Sequence, residues 1–481
     1  MYSNTKRSIN LLYLNITRVL FYSFPLCFII GNLAVSINTF LFLITSLFLI
    51  QREKLNLRFD KTCWILVVFF VYLFISTTIH FLSPGILHDH AFIMPGHAQY
   101  DSIIKSMLMV RFIILIFIVD TLIFNKILDL KKLFLFSLIC TSFVSLDIIL
   151  QFITGTDLFG YKTFQAQSLW NSGPFGDEKI AGGYLKNFSF LSFFYIFIVI
   201  KNKNFKNPLL IFVISMHLIA ALLAGNRMPI ILFLLGCFLI ALFIKNLRPI
   251  MILSFFVFIS FFSFLVYSNK DFKDSYLSFF SDINIAKLIK TKRDKNHETE
   301  KETEKGETFE IIDGKYSSVD FPKDIIFLKH SGYNRIYRTS IIMWKEKPLT
   351  GFGLKSFRIK CWYILKEDTR KFGVRPQNIA CGNHSHNYYL QLLSETGIIG
   401  ITLIIIFFLI ILKNSFACIK EYNQKTNSEL IFIIPFIISI FLEVWPIRSA
   451  GSFFTNSNAT FFWLNVAIFI SIYGKNAIIK K

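Results

Sequence analysis

Two histidines and two asparagines stand at the start of an apolar segment, in the stretch CGNHSHNYYLQLLSETGIIG at residues 381–400. Polar groups at a membrane helix need water, a partner or a substrate, because leaving them unpaired in an apolar environment is costly. The positive end of a helix dipole disfavours an imidazolium ion, so His386 and His384 tend to stay neutral there. A neutral imidazole suits the deprotonation of a hydroxyl group. The alternative is a pair of interfacial histidines bound to backbone and water, with Asn383 or Ser385 as the helix cap.

Arginines form the second group of candidates. Arg227 stands in LLAGNRMPIILFL between two apolar blocks, and Pro229 would make this turn rigid. Arg335 lies in a long polar connection. A guanidinium offers a planar fork of donors that matches phosphate oxygens, so both residues are candidate anion clamps. The alternatives are an arginine that snorkels harmlessly at a helix end and an arginine on a solvated face.

The positions of several other charged residues also need a structural or functional explanation. Glu178 in SGPFGDEKIAGGYL could orient an acceptor or pair with an arginine, and Arg448 stands beside small polar residues in PIRSAGSFFTNSN. Arg111 lies inside an apolar block, about 12 Å from its outer end at the rise of a helix. Such charges are usually functional or paired, and an ion pair with Asp147 is the alternative for Arg111. Glu395 is likewise a carboxylate in an apolar segment.

The elements that must position these residues are apolar helices. The chain has 481 residues, of which 54% are hydrophobic and 58 are Phe, and its mean hydropathy is +0.55. About twelve blocks are long enough to span a bilayer: 10–30, 33–50, 63–82, 103–124, 132–153, 183–200, 208–224, 228–244, 249–268, 387–412, 429–446 and 459–474. The sequence therefore predicts an all-α polytopic membrane protein. The first block lacks a small-residue cleavage site and is interpreted as a retained helix.

The net charge of +21 reports topology rather than a nucleic-acid partner. Lys and Arg collect in alternate short connections, 51–61, 125–132, 201–207, 245–248, 413–425 and 474–481, and are sparse at 31–32 and 225–229. The positive-inside rule then places both termini in the cytoplasm. Nucleic-acid binding is excluded, since no basic face with aromatic stacking positions stands clear of the membrane.

The pattern predicts three regions: helices 1–9 over 1–268, an outer loop over 269–385, and helices 10–12 over 386–481. The mixed-charge segment 290–310 predicts a flexible insert. In GYNRIYRTSIIMWKEKP the helical spacing of apolar residues predicts an amphipathic helix on the membrane surface. Gly397 and Gly400 predict close helix packing.

Cysteines and known motifs add little chemistry. Only Cys361 and Cys381, of seven cysteines, fall in the outer loop, where either a disulfide or two free thiols is consistent with the spacing. There is no metal-binding spacing and no HExxH, GxSxG or P-loop motif, so neither a metal nor another cofactor is predicted.

Three motifs together resemble the O-antigen ligase and Wzy-type polymerase superfamily, bacterial membrane glycan transferases. They are the GNR turn, the loop segment GYNRIYRTSIIMWKEKPLTGFGLKSF and the helix start HSHNYYLQLLSETGIIG. The likeness is strongest over roughly residues 180–412, and the layout of about twelve helices extends it over the chain. The chain departs from the common pattern in the Asn226 and Met228 that flank Arg227, where a small hydroxyl residue and a glycine are frequent.

The resemblance implies a GT-C-like fold and an inverting, metal-independent glycosyltransferase. Such an enzyme takes a glycan from an undecaprenyl-diphosphate donor at the periplasmic face of the bacterial inner membrane. Arg227 and Arg335 would bind the diphosphate, and His386 would be the essential catalytic histidine. The substrate-binding candidates are His384, Asn387, Glu178, Arg448 and Arg111.

The acceptor remains open at the sequence level. A ligase delivers the glycan to lipid A-core, whereas a polymerase delivers it to another lipid-linked repeat, and a chain-length regulator is a further candidate partner. The alternative from another class is a non-enzymatic transporter or flippase of lipid-linked glycans. It would favour broken helices and ionisable groups near the midplane, and inverted repeats, of which the sequence shows none.

Overall fold

The computed structural model describes residues 2–82, 101–163, 170–270, 272–274, 332–367, 380–425, 429–448 and 451–479, and the fold is described for these. They form sixteen α-helices: α1 Tyr2–Tyr22, α2 Phe24–Ile30, α3 Asn32–Glu53, α4 Cys63–Leu82, α5 Asp101–Leu108, α6 Arg111–Phe124, α7 Leu130–Thr154, α8 Ala181–Val199, α9 Lys203–Leu223, α10 Arg227–Phe243, α11 Arg248–Ser268, α12 Gly332–Glu346, α13 Phe357–Glu367, α14 Tyr388–Lys425, α15 Ile434–Glu443 and α16 Asn456–Ile479. Short 3₁₀ helices lie at Gly173–Phe175, Lys245–Leu247 and Leu430–Phe432.

The apolar helices confirm an all-α polytopic membrane protein. Within the described part of the chain, nine helical stretches are long and apolar enough to cross a membrane. The bent pair of α1 and α2, with an angle of 56° between them, and the shorter helices α10 and α15 occupy the three remaining predicted blocks. In a bilayer only helices and closed barrels satisfy every backbone group, which is why these blocks fold as they do. The count of twelve spans stays a prediction.

The last helix lies at the centre of the bundle. In α16, 83% of the most apolar stretch is buried, against 28% in the span Lys245–Ser268, which therefore lies at the periphery. Helix α16 packs along α6 and also contacts α3 and α15, while α8 packs between α7 and α9. The side chains of Trp463, Phe70 and Phe407 meet in the core that joins α4, α14 and α16.

The described part of the predicted outer loop forms a small packed unit. Helix α12 covers the predicted amphipathic segment, and Ile342 and Met343 on its apolar face are buried with Phe352 and Phe357. Part of this face therefore packs on the protein itself, and the placement of the helix on the membrane surface stays a prediction. A disulfide joins Cys361 to Cys381, with 5.5 Å between their Cα atoms.

Two predictions about organisation are not decided by this fold. The flexible insert 290–310 lies outside the described residues. The predicted regional bounds 1–268, 269–385 and 386–481 stay predictions, as does the cytoplasmic placement of both termini.

Candidate functional site

A break in α14 sets the position of the segment that follows the histidines. Gly397 has φ 64° and ψ −169°, which interrupts the helix between its short first part, 388–396, and its long second part. The loop 348–353 inserts at this break and supplies the missing hydrogen bonds. Phe352 N donates to Ser394 O at 3.2 Å, and Ile398 N donates to Pro348 O at 2.9 Å. Backbone groups freed inside a membrane helix are tolerated only where protein satisfies them, and this loop does so.

The break corrects the sequence-based interpretation of Gly397. A Cβ atom at Gly397 would lie 2.3 Å from Leu349 O, and one at Gly351 would lie 2.5 Å from the carbonyl carbon of Glu395. These glycines therefore bring a loop against a helix rather than two helices against each other. The positive φ at both positions suits glycine, which has no Cβ to clash.

A polar stripe on α4 holds the inserted loop from the other side. Tyr72 Oη donates to Thr396 O at 2.8 Å, and Ser76 Oγ donates to Thr350 O at 3.2 Å. The ring of His80 lies 3.1 Å from Thr350 Oγ1. Two segments far apart in the chain, α4 and the loop 348–353, thus fix the orientation of 388–396.

Asn387 caps this helix, which corrects the expectation of Asn383 or Ser385. Its Oδ1 accepts from Tyr389 N at 3.0 Å and from Leu390 N at 3.2 Å. Its Nδ2 donates to Pro446 O at 2.9 Å. Both ends of the Asn387 amide are engaged, so the residue ties the helix start to the loop that carries Arg448.

His386 precedes the cap in an uncommon backbone conformation. Its φ is 53°, in the left-handed region that residues other than glycine seldom adopt and that clusters at functional sites. The His386 ring lies 4.2 Å from the His384 ring and 5.0 Å from the Tyr333 ring, centroid to centroid. Because Tyr333 is in the first turn of α12, that helix reaches the histidine pair.

Arg335 lies on α12 two residues after Tyr333, and its side chain is exposed. The helix is anchored near it, because Thr339 Oγ1 donates to Arg335 O and to Ala380 O, each at 3.0 Å. Burial raises the pKa of Tyr337 on the same helix to about 12, and the neighbouring Tyr333 acts in the same direction. Tyr337 therefore remains a neutral phenol at physiological pH.

Arg227 is the first residue of α10, after a turn that a second loop braces. Gly225 has φ 74°, and Asn226 Nδ2 donates to Lys179 O at 2.8 Å. Gly182 at the start of α8 allows close approach, since a Cβ there would lie 3.3 Å from the Asn226 Cβ. Asn226 is one of the residues that differ from the pattern common in the resembling superfamily. Its side chain joins the turn to the loop that contains Glu178.

A cavity of about 250 Å³ opens beside this turn. Connections that are distant in sequence line it. The lining includes Gly31, Glu178, Asn226, Met228, Arg448 and Asn458. Of the predicted site residues, Glu178 and Arg448 line this one cavity. Arg227 lies in the sequence between Asn226 and Met228, which also line it. Glu178 is exposed and forms no ion pair with other described residues.

A buried charge network underlies the cavity. Glu443 on α15 lies between Lys186 on α8 and Arg448, forming an ion pair with each. Tyr388 Oη donates to the same carboxylate at 3.2 Å, and the Arg448 guanidinium lies 5.0 Å from the Tyr388 ring centre. Burial acts to lower the pKa of Arg448, but the Glu443 carboxylate and the Tyr388 hydroxyl together outweigh it and raise that pKa. Arg448 is therefore a fixed positive charge.

Lys186 and Glu443 were not identified from the sequence as candidate site residues. Each is a charged residue inside an apolar block, at KNFSF and FLEVW, and that placement alone marks a residue that needs a partner. Lys186 also lines the cavity. The network thus connects a cavity wall to Tyr388, two residues after His386.

Arg111 lies apart from this group. It begins α6, and its Nη2 donates to Asn456 Oδ1 at 2.8 Å. Asp147 accepts instead from Leu158 N at 2.9 Å, so the alternative ion pair between Arg111 and Asp147 is wrong. The Arg111 guanidinium links α6 to the start of α16, and its substrate-binding role stays a prediction.

One family match covers the middle of the chain. Residues 209–405 match the family model described as O-antigen ligase. The match confirms the resemblance to the O-antigen ligase and polymerase superfamily, and it indicates activity of the ligase or polymerase type. Its range includes Arg227, Arg335 and His386. The search of curated proteins found no match.

Proposed function

We propose that this protein transfers a glycan from an undecaprenyl-diphosphate-linked donor to a sugar hydroxyl of an acceptor. The reaction takes place at the periplasmic face of the bacterial inner membrane. It is an inverting transfer that uses the protein's own side chains and no metal ion. The match over residues 209–405 supports ligase- or polymerase-type activity, and the geometry of the site supports the finer roles given below.

In this reaction the acceptor oxygen forms a bond to the anomeric carbon of the donor sugar. The bond from that carbon to the diphosphate oxygen breaks, and undecaprenyl diphosphate leaves with the electron pair. His386 accepts the proton of the acceptor hydroxyl. Arg227 and Arg335 bind the diphosphate and stabilise the negative charge that develops on it, as fixed cations do in a water-poor site.

The observation that carries the proposal is the convergence around His386. The His386 ring lies beside Tyr333, which is on the same helix as Arg335. The next residue, Asn387, is hydrogen-bonded to the loop that contains Arg448, a residue of the cavity wall. Rigid helices and a docked loop fix these groups, which supplies the orientation that a reaction between two lipid-held substrates requires.

A transporter of lipid-linked glycans is the second candidate, because the break in α14 is a feature of transporter helices. In transporters, however, broken helices expose backbone groups to the transported substrate. Here the freed groups at the break are bonded to the loop 348–353. The break is thus filled by the chain itself, which favours the transferase.

Purified full-length His386→Ala protein tests the proposal, with an undecaprenyl-diphosphate-linked glycan and an acceptor supplied in a lipid bilayer. Loss of a general base lowers the rate by about a hundredfold or more. The neighbouring variant His384→Ala is the matched control and loses about tenfold or less. Transfer by His386→Ala at the rate of the unmodified protein would refute the mechanism.

The glycan pattern of a deletion strain then identifies the acceptor. A ligase delivers to lipid A-core, so its loss removes all attached chains. A polymerase delivers to another lipid-linked repeat, so its loss leaves a single attached repeat. A chain-length regulator is a proposed partner only in the second case.

A further inference from the structure

A second cavity, of about 500 Å³, lies at the other end of the bundle. Lys131 and Lys132 at the start of α7 line it together with Lys201, which follows α8. Tyr195 and Phe432 complete a partly aromatic wall. The three lysines come from connections that the charge pattern assigns to the cytoplasm. The cavity is thus a basic recess between helices.

The recess has more positive than negative side chains, with three lysines and one carboxylate in its wall. None of the three lysines forms an ion pair with a described residue. The one carboxylate in the wall, Glu429, pairs with Lys475 outside it, at 3.4 Å. The nearby Asp129 is also engaged, since its Oδ1 accepts from Lys131 N at 3.0 Å as the helix cap. A surplus of positive charge in a recess at the membrane surface attracts an anion.

An apolar track continues from the recess along the same helix. Lys132 and Leu135 line the cavity, and at 3.6 residues per turn they share a face of α7 with the positions one to four turns further on. The side chains on that face are large and exposed: Phe136 40%, Ile139 56%, Phe143 37% and Leu146 58%. An acyl chain would cover this stripe, whereas a free phosphate ion would not.

We propose that this recess binds the phosphate headgroup of an anionic membrane phospholipid, with an acyl chain lying along α7. Lys131, Lys132 and Lys201 hold the phosphate, and the Tyr195 side chain borders it. The site is separate from the proposed transfer site, because it lies among the basic connections rather than the outer loops. It would hold the ends of α7 and α8 together, since Lys131 and Lys132 lie in α7 and Lys201 follows α8.

The test measures binding of dioctanoyl-phosphatidylglycerol to the full-length protein in neutral detergent. The variant Lys131→Ala/Lys132→Ala/Lys201→Ala is expected to bind about tenfold more weakly or worse. A matched control removes three exposed lysines from other basic segments, Lys245→Ala/Lys413→Ala/Lys420→Ala, and so has the same net charge. The control keeps its affinity, and replacement of the three cavity lysines by arginine restores most of it.

Two further ligands distinguish the source of the phosphate. Dioctanoyl-phosphatidylcholine, which has the same chains and no net charge, is expected to compete poorly, and inorganic phosphate is expected to compete only weakly. Competition by inorganic phosphate as effective as that of the lipid would overturn the lipid assignment. Equal weakening of binding in the two alanine variants would overturn the site itself.

Discussion

Replacing Gly351 by alanine tests whether the inserted loop positions the histidine-bearing start of α14. The residue has φ +64°, and a Cβ there would lie 2.5 Å from the carbonyl carbon of Glu395 and 2.6 Å from Thr396 N. These contacts are with backbone, which cannot rotate away as a side chain could. The loop must therefore move out of the break in α14.

The magnitude follows from two costs. A left-handed conformation costs an alanine about 1 kcal/mol. Displacing the loop breaks the backbone hydrogen bonds from Phe352, Gly353, Ile398 and Ile399, each of which contributes about 1 kcal/mol. We therefore expect Gly351→Ala to destabilise the folded state by about 5 kcal/mol if the whole loop leaves the break, and by less if it shifts only partly.

Gly160→Ala is the matched control. Gly160 also has a positive φ, +87°, but a Cβ there would meet nothing within 4 Å. It therefore carries the conformational cost of about 1 kcal/mol without the clash. Thermal unfolding in detergent measures stability, and glycan transfer by the same preparations measures whether the site is still assembled.

The two variants are expected to differ in both measurements. Gly351→Ala should unfold at a clearly lower temperature than Gly160→Ala and should lose most transfer activity, because the segment 388–396 is no longer fixed. If Gly351→Ala matches Gly160→Ala in unfolding temperature and in activity, the loop does not position the site, and the reasoning from the break is wrong.

Two other features give predictions. Glu443→Gln leaves Lys186 as an unbalanced buried charge and should cost about 3–5 kcal/mol in thermal unfolding. Glu429→Gln, at a 56% exposed carboxylate, should cost about 1 kcal/mol or less, so equal unfolding temperatures would contradict the buried network. The disulfide between Cys361 and Cys381 predicts that a maleimide labels five cysteines in the denatured, unreduced protein and all seven after reduction. Seven labels without reductant would show that the bond does not form.

The candidate residues could be chosen from the sequence because the signal was local, and their roles stay predictions. His386 and Arg227 stand out as polar groups at the ends of apolar blocks, and Arg335 lies in an amphipathic segment of the long polar connection. The family match covers all three. Helix α12 was predicted from the spacing of its apolar residues alone. The cap of α14 was not, because Asn383, Ser385 and Asn387 are equally suited by type, and only the backbone path decides among them.

The partners of the buried groups could not be predicted. Lys186 and Glu443 are 257 residues apart, and the loop that fills the break in α14 is held by α4, more than 270 residues before it. Apolar helices offer many alternative packings of similar hydrophobicity, so hydropathy does not say which of them meet.

The sequence by itself determined the apolar spans, the alternation of basic connections and the presence of a polar, histidine-containing helix start. Each depends on neighbouring residues, whose hydropathy and spacing are fixed along the chain. The tertiary structure decided that Gly397 breaks a helix, that Asn387 is committed to a cap, and that Arg448 shares Glu443 with Lys186. Those outcomes depend on contacts between segments far apart in the chain, which form only when the helices pack.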